Sequence, residues 1–344
     1  MRIKEKELFK IEGNRVKKYT IDNENGLIVS ILNLGGTILE IKTKDKLGEL
    51  ENIVLRYEDI KDYIDNPSYY GRTIGRTSGR IDKGEFTLNG EKYTLNKNYG
   101  KNSGHGGNKG FDKIIFDSKI IEKEDSIILS LEYFSKDLEE GYPGNLKVKI
   151  EYEITEDNRL IFRVFGKSDK DTLLNITNHS YFNLSGNYKR DILNHSLKIS
   201  AKKFLEIDKD GGVTGNILDT DKNFDFNFGK LIGRDIENKD IQLNLGNGYD
   251  HPFMLTDKKI IELYEKESGR YMKIKTSYPS VVVYTQNFID NKKLYGGKEV
   301  KRRMGVCLEV QNPPIGYNEA FKDYSVLKKE DVFIAQTEYI FGLI

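Results

Sequence analysis

Apolar residues along most of this chain alternate with polar ones, which is the pattern of half-buried β-strands. The alternation is clearest in LKVKIEYEIT (146–155) and recurs at Leu160, Phe162 and Val164. Further strand-like runs are SIILSLEYF, LLNITNHSYFNL, RYMKIKTSY, SVVVYTQNF and GVCLEVQ. Only RYEDIKDYI (56–64) spaces its apolar residues as a helix does. We therefore predict an all-β fold with few short helices.

Local turn chemistry and the lack of linkers refine this prediction. Asn89-Gly90 lies between the alternating runs of EFTLNGEKYTL and supplies the positive φ angles of a type I′ turn, so we expect a tight hairpin there. We find no Gly/Ser-rich or Pro-rich linker and no repeat of fixed period. Although 344 residues would on average form two domains, β-sandwiches often run long. We expect one domain over residues 1–344.

The charge balance and the cysteine count exclude several classes of partner. The 55 Lys and Arg residues nearly cancel the 54 Asp and Glu residues and are interspersed with them, so we expect no nucleic-acid partner. No stretch approaches the roughly 20 apolar residues of a membrane span, and the N-terminus has no apolar signal region. We expect a cytoplasmic protein that does not bind membranes. One cysteine and four histidines leave too few ligands for a structural zinc site, and we expect no metal.

Three of the four histidines lie in polar, glycine-rich segments. His105 lies in NSGHGGNKGFDK, His179 in ITNHSYFNLSG and His251 in NGYDHPFML, whereas His195 has ordinary surroundings. Strand alternation in LLNITNHSYFNL turns His179 away from the apolar face, where it can line a cleft. A hydrogen-bonded structural histidine is the alternative interpretation.

A carboxylate interrupts the strongly apolar strand VCLEVQ. Alternation places Val306, Leu308 and Val310 on one face and Cys307, Glu309 and Gln311 on the other. A carboxylate in such a run is costly unless it is paired or used in chemistry. Glu309 is therefore a candidate catalytic residue, although a salt bridge to a basic neighbour explains it equally well.

Two further segments carry candidate binding residues. Alternation separates Asp250 from His251, so only one of them can face a common site. Asp250 can reach ligand hydroxyls, and we expect His251 to be structural.

The segment GRTIGRTSGR matches neither GxGxxG nor the P-loop spacing of nucleotide-binding proteins. Its arginines Arg72, Arg76 and Arg80 can donate to hydroxyls or phosphate, and we expect at least one of them to be solvated or ion-paired instead.

Seven segments, in order, resemble the signature segments of the aldose 1-epimerase (galactose mutarotase) family. They are GRTIGRTSGRI, NSGHGGNKGFDK, EEGYPGNLKVKIEY, TNHSYFNLSG, GYDHPFML, YPSVVVYTQNF and LEVQNPPIGYN. The resemblance implies a large antiparallel β-sandwich with an open cleft and no metal or organic cofactor. It also implies monosaccharide substrates such as galactose and glucose. We expect a monomer or a homodimer.

The resemblance implies roles for residues that match these segments. It implies that Glu309 is the general base, His179 the general acid and His105 a second catalytic histidine near the ring oxygen of the sugar. The implied substrate-binding residues are Arg80, Asp250, Asn102 and Gln311. The chain departs from the family's usual residues at Gly79, Gly104, Tyr278–Ser280, Val283 and Pro313–Ile315. We expect these departures to affect the choice of sugar rather than the reaction.

The implied reaction needs one base and one acid. A proton leaves the C1 hydroxyl, another reaches the ring oxygen, the ring opens, and it closes on the other face after rotation about C1–C2. A carboxylate and an imidazole can both be tuned to act near neutral pH.

Three alternatives to this function remain. They are a glycoside hydrolase or lyase using Glu309 with Asp250, a non-catalytic sugar-binding module, and an enzyme for hexose 6-phosphates.

Overall fold

Antiparallel strands make up most of the regular structure in the computed structural model, which describes residues 1–344. The strands in chain order are β1 (Arg2–Ile11), β2 (Asn14–Asp22), β3 (Leu27–Leu32), β4 (Thr37–Lys44), β5 (Leu50–Asn52), β6 (Arg72–Ile74), β7 (Arg80–Ile81), β8 (Glu85–Leu88), β9 (Glu91–Thr94), β10 (Ser103–Gly104), β11 (Asp117–Glu122), β12 (Ser126–Ser135), β13 (Leu146–Thr155), β14 (Arg159–Ser168), β15 (Thr172–Leu173), β16 (Thr177–His179), β17 (Tyr181–Phe182), β18 (His195–Ile199), β19 (Ala201–Ile207), β20 (Val213–Asp219), β21 (Lys230–Leu231), β22 (Asp250–Leu255), β23 (Ile260–Glu265), β24 (Arg270–Thr276), β25 (Ser280–Tyr284), β26 (Lys293–Leu294), β27 (Lys298–Glu299), β28 (Val306–Gln311), β29 (Val326–Leu327) and β30 (Phe333–Leu343).

Helical structure is confined to short segments. There is one α-helix, α1 (Ile241–Gly246), and the 3-10 turns are Ile60–Tyr63, Asp82–Gly84, Phe111–Lys113, Glu139–Gly141, Ile232–Arg234, Tyr317–Glu319 and Lys322–Ser325. The helical pattern at 56–64 thus yields only one 3-10 turn, which begins after Asp59, whose side chain accepts a hydrogen bond from the Lys61 N–H. No helix has the length and hydropathy required to cross a bilayer.

Three large sheets hold most of the strands. One has five strands in the order β1-β2-β3-β4-β5, and another has nine in the order β11-β12-β13-β14-β30-β24-β23-β18-β21. The third has six strands in the order β17-β28-β25-β22-β19-β20. The alternation at 146–164 becomes the β13–β14 hairpin, in which Ile150 pairs with Val164 and Tyr152 with Phe162.

All three large sheets contribute to one apolar core. Ile31 of the five-stranded sheet, Ile150 of the nine-stranded sheet and Val283 of the six-stranded sheet belong to the same cluster of buried side chains. The rings of Phe182 and Tyr339, which come from the six- and nine-stranded sheets, lie 5.7 Å apart between their centroids. The sheets therefore pack face to face, and the prediction of an antiparallel β-sandwich is confirmed.

The predicted hairpin is also confirmed. Strands β8 and β9 pair so that Leu88 lies opposite Glu91, and the two residues between them have φ angles of 53° at Asn89 and 81° at Gly90. Both central residues of a type I′ turn need positive φ.

His195, the histidine with an ordinary sequence context, lies in the interior. It begins β18, and its Nε2 accepts a hydrogen bond of 2.9 Å from the Leu184 N–H. Burial lowers the pKa of His195 from 6.5 to about 4, and the nearby Glu265 charge opposes this shift. Because the folded-state pKa is depressed, this histidine contributes stability above pH 6.5 that is lost as the pH falls toward 4.

We predict that His195→Gln weakens the pH dependence of stability in this window. The glutamine oxygen can still accept from Leu184, but it does not titrate. Between pH 7 and pH 4.5 the wild-type free energy of unfolding should fall by about 2 to 3 kcal/mol more than that of the variant. Urea unfolding at both pH values measures this difference, and equal losses in the two proteins would show that folding does not lower the pKa of His195.

Candidate active site

The outer face of the six-stranded sheet forms the floor of a cavity. Glu309 on β28 lies opposite Val282 on β25, and Asp250 on β22 lies opposite Tyr284 on β25. Directly opposed residues of antiparallel strands share a face, so these four side chains lie on one side of the sheet. Their strand neighbours, including Leu308, point into the core. The predicted division of VCLEVQ into a core face and a polar face is confirmed.

Two short β-ribbons complete the cavity. In the first, β16 pairs with β6, and His179 lies opposite Arg72. In the second, β10 pairs with β7, so that Gly104 lies opposite Arg80 and His105 follows directly. His105 has a φ of 51°, and its backbone N–H donates to the Gly79 carbonyl at 3.0 Å. The ribbons therefore bring two histidines and an arginine over the sheet.

The cavity has a volume of about 330 Å³ and collects six of the seven predicted site residues. These are Arg80, His105, His179, Asp250, Glu309 and Gln311. Asn102 does not line the cavity. It is fully buried, and its Oδ1 accepts a hydrogen bond of 3.1 Å from the Lys83 N–H. The Asn102 side chain thus supports the 3-10 turn that follows Arg80 and Ile81.

Glu309 and His179 form a buried pair. The Oε1 atom of Glu309 lies 3.4 Å from Nε2 of His179, and both side chains are about 95% shielded from solvent. Burial raises the pKa of Glu309 well above its usual range, the Asp250 charge adds to this, and Arg80 opposes it. Burial also lowers the pKa of His179 to about 4. Burial therefore favours a neutral carboxyl group beside a neutral imidazole over a carboxylate beside an imidazolium.

His105 lies in an aromatic cage beside this pair. Its ring centroid lies 5.0 Å from that of Tyr69, 5.5 Å from that of Tyr99 and 5.5 Å from that of His179. Burial lowers the pKa of His105 well below its usual value, and the charges of His179 and Arg80 act in the same direction. The ring is thus neutral near pH 7, and its buried Nδ1 has no hydrogen-bond partner in the protein.

Arg80 and Asp250 face each other without a hydrogen bond. Nη1 of Arg80 donates to the Gly211 carbonyl at 2.9 Å, whereas Nη2 lies 3.9 Å from Oδ2 of Asp250. Burial raises the pKa of Asp250, and Arg80 opposes this shift. A ligand hydroxyl near both groups can accept from the guanidinium and donate to the carboxylate.

The other two arginines of GRTIGRTSGR are structural. Arg72 is buried and donates to the carbonyls of Leu34 and Tyr63. Arg76 is buried and donates to carbonyls that include those of Pro143 and Gly144. Neither guanidinium lines the cavity. Backbone carbonyls occupy the donors of these two arginines, whereas Arg80 is ion-paired with Asp250 at 3.9 Å, as expected for at least one of the three.

His251 lies behind the sheet, as predicted from its separation from Asp250. Its ring packs 5.0 Å from that of Phe224, and its Nδ1 accepts a hydrogen bond of 3.1 Å from the Asp250 N–H. His251 thus contacts the backbone of a cavity residue without reaching the cavity.

Sequence reasoning missed several residues that line the cavity. Tyr69 has a φ of 56°, which is rare for a bulky side chain and occurs mainly where the surrounding structure enforces it. Asp290 accepts hydrogen bonds from Tyr57 and Ser68 and connects two loops at the cavity mouth. Phe288 lines the cavity while 62% exposed. The only sequence signal was aromatic composition, which does not separate cavity from core.

Among the residues at which the chain departs from the family pattern, Gly79 and Pro314 line the cavity. Gly79 has a φ of 72°, and a Cβ there would lie 2.7 Å from Cγ of Pro314. Val283 is in the core, and the Tyr278 hydroxyl donates to the Ile176 carbonyl at 2.6 Å. Gly104 packs under Tyr99.

One cluster offers metal-ligand atoms. Atoms of His179, Cys307 and Glu309 lie within 4.8 Å of one another. However, Cys307 Sγ contacts Nδ1 of His179 at 3.5 Å, whereas Glu309 contacts Nε2. The thiol and the carboxyl group thus contact different nitrogens of one ring, and a single ion cannot replace both contacts. The absence of a functional metal stays a prediction.

Comparisons with known proteins agree on one family. The sequence profile described as aldose 1-epimerase matches residues 17–339. A galactose mutarotase from Sus scrofa is 33% identical, with 95% of this chain and 94% of the relative covered. An aldose 1-epimerase from Escherichia coli K12 is 30% identical, with 96% of each chain covered. The crystal structure of a galactose 1-epimerase from Lactobacillus acidophilus superposes with a TM-score of 0.90 at 27% identity, over 99% of each chain.

Proposed function

The chain belongs to the aldose 1-epimerase family, a family of isomerases. On that premise we propose that it interconverts the α and β anomers of a free hexose, such as galactose or glucose, in this cavity. The observation that carries the proposal is the Glu309–His179 contact of 3.4 Å inside the cavity. Anomer exchange needs one group that removes a proton and one that supplies a proton, close to the same carbon.

The two groups act together in the proposed reaction. Glu309, as the carboxylate, removes the proton from the C1 hydroxyl, and His179, as the imidazolium, gives its proton to the ring oxygen. The bond between C1 and the ring oxygen then breaks and an aldehyde forms at C1. After rotation about C1–C2, His179 takes the proton back from the C5 hydroxyl as it attacks the other face of C1. Glu309 returns its proton to the new C1 hydroxyl.

The single proton of the buried pair supports this cycle. A neutral carboxyl group with a neutral imidazole, and a carboxylate with an imidazolium, differ only in where one proton lies. Burial favours the neutral arrangement. Bound sugar hydroxyls can donate to Glu309 and stabilise the ionic arrangement that begins the reaction.

Unsatisfied polar atoms support sugar binding beside the pair. Nε of Arg80, Nδ1 of His105 and Oε1 of Gln311 are buried without hydrogen-bond partners. Leaving such groups unpaired costs about 1 to 3 kcal/mol each, and a polyhydroxylated ligand recovers that cost. We assign hydroxyl recognition to these residues and to Asp250, and we place His105 nearest His179.

The alternatives have less support. A glycoside hydrolase would use Glu309 with Asp250, but Glu309 contacts a histidine, and the chain belongs to an epimerase family. A binding module has no need for a buried acid–base pair, whose burial is unfavourable unless it is used. The oligomeric state and the cytoplasmic location stay predictions.

We predict that Glu309→Gln removes catalysis without removing stability. Loss of a general base costs about 10² to 10⁴ in rate, so kcat should fall at least about a hundredfold while KM changes little. The folded-state pKa of Glu309 is raised, so ionised Glu309 opposes folding as the pH rises above 4.5, and glutamine mimics its neutral form. The thermal unfolding midpoint at pH 7 should therefore stay equal or rise.

Glu265→Gln is the matched control. Glu265 is equally buried but pairs with Arg190 at 3.0 Å outside the cavity, and its pKa is lowered. It stabilises the fold above pH 4.5, and this contribution is lost as the pH falls. The control should lose stability and keep kcat. An unstable but fully active Glu309→Gln protein would mean that Glu309 is an ion-pair partner rather than the base.

The charges of the cavity disfavour phosphorylated sugars. Its lining contains the carboxyl groups of Asp250, Asp290 and Glu309, whereas Arg80 is its only arginine or lysine. The phosphate-binding alternative rested on three arginines, and the donors of two of them, Arg72 and Arg76, are occupied by backbone carbonyls. A phosphate dianion is repelled by each of these groups that is ionised, and like-charge contacts cost several kcal/mol.

We predict that glucose 6-phosphate is a poor substrate. Polarimetry with freshly dissolved α anomers should give a kcat/KM for glucose at least about tenfold above that for glucose 6-phosphate, which corresponds to about 1.4 kcal/mol. The uncharged 6-deoxyglucose is the matched control and should resemble glucose. A kcat/KM for the phosphate equal to or above that of glucose would contradict the charge argument.

A further inference from the structure

The side chain of Tyr99 lines the cavity next to Arg80, and the proposed reaction leaves it without a role. Cζ of the Arg80 guanidinium lies 5.3 Å from the centroid of the tyrosine ring. This separation is within the roughly 6 Å at which a guanidinium and an aromatic face attract each other. Arg80 therefore faces an aromatic ring as well as the carboxyl group of Asp250.

A tight turn places this ring. Tyr99 and Asn102 exchange both of their backbone hydrogen bonds, at 3.0 Å each, and enclose Gly100 and Lys101. Gly100 has a φ of 62°, as a type II′ turn requires at its first central position. Nζ of Lys101 lies 2.9 Å from Oδ2 of Asp208. Backbone pairing and an ion pair thus determine where the turn lies.

The loop that Lys101 anchors also holds Arg80. Oδ1 of Asp208 accepts a hydrogen bond of 2.8 Å from the Gly212 N–H, and the carbonyl of Gly211 accepts one of 2.9 Å from Nη1 of Arg80. A Cβ on Gly211 would lie 2.8 Å from Cζ of Arg80, so the backbone there packs directly against the guanidinium. Two segments that are linked to each other therefore contact the same guanidinium.

Gly104 leaves the space that the tyrosine ring occupies. It lies opposite Arg80 in the β7–β10 pair. A Cβ on Gly104 would lie 2.6 Å from Cδ2 of Tyr99, whereas its φ is outside the positive range that favours glycine. The ring rather than the backbone thus excludes a side chain at this position. An aromatic ring packed over a strand glycine also stabilises the pairing of the strands.

We propose that Tyr99 is a positioning residue that holds the Arg80 guanidinium in the orientation that binds the sugar, in the space left by Gly104. A guanidinium that is fixed before the ligand arrives loses less freedom on binding, which favours affinity. The proposal rests on the proposed function, because it takes Arg80 to bind a hydroxyl of the sugar. It concerns sugar binding and not the proton transfers of Glu309 and His179.

Two other roles of the ring make a different prediction. A ring that contacts the sugar directly does not need Arg80, and neither does a ring that acts through His105, whose ring centroid lies 5.5 Å away. In both cases removal of the ring costs as much without the arginine as with it. A ring that holds Arg80 has no further effect once that side chain is lost.

The first test compares kcat and KM for α-D-galactose by polarimetry. Tyr99→Leu should raise KM at least about fivefold, as expected for a cation–π contact that is partly shielded from water. Its kcat should stay within about threefold, because the acid–base pair is intact. Tyr99→Phe keeps the ring and should restore the wild-type KM. In the Arg80→Met background, Tyr99→Leu should change kcat/KM by less than about twofold. Equal losses with and without Arg80 would overturn the proposal.

A second pair of variants tests the space at Gly104. Gly104→Ala should raise KM as Tyr99→Leu does, since the added Cβ displaces the ring, and it should add nothing when combined with Tyr99→Leu. A wild-type KM in Gly104→Ala would contradict this part of the proposal. Tyr93→Leu is the comparison variant, because Tyr93 is also half-buried but stacks on Phe86 at 5.3 Å outside the cavity. It should lose stability and keep its KM.

NMR of protein labelled with ¹⁵N-arginine tests the contact without a substrate. Arg80→Met identifies the Nε–H signal of Arg80. The ¹H–¹⁵N NOE of this signal should show a rigid side chain in the wild type and in Tyr99→Phe, and a mobile one in Tyr99→Leu. An equally rigid Arg80 in Tyr99→Leu would overturn the proposal even if no variant is active. Absence of catalysed anomer exchange in the wild type would instead refute the proposed function, and the NMR result would still stand.

Discussion

The removal of Glu309 and His179 from water is the constraint on which the site depends. Each side chain alone would be unfavourable in so buried a position, because burial opposes its charged form. Together, 3.4 Å apart, they can share one proton in an arrangement in which neither is charged. The same burial makes the carboxylate a stronger base and the imidazolium a stronger acid once substrate favours the ionic arrangement.

The fold supplies this environment through elements that are distant in sequence. The six-stranded sheet carries Asp250 and Glu309 on one rigid face, and the core behind it holds the strands in register. His179 reaches the pair from a short ribbon that also includes Arg72, whose donors are taken by backbone carbonyls. Arg72 thus contributes to the structure around the site without lining the cavity.

Local patterns predicted the strands, the hairpin and the faces of individual residues. Alternation correctly separated Glu309 from Leu308 and Asp250 from His251, because side-chain direction in a strand is a local property. It could not predict that Asn102 turns toward the Lys83 backbone, or that Tyr69 adopts a positive φ beside His105. Those placements depend on loops whose conformation is determined by contacts between distant segments, and no local periodicity encodes such contacts.

The most direct test of the account compares Glu309→Gln, His179→Asn and the double variant by polarimetry on freshly dissolved α-D-galactose. If the two side chains act as one unit that holds one proton, removing the second group adds little once the first is gone. The account predicts a double variant about as slow as the slower single variant. Losses that multiply, as for two independent groups, would contradict it.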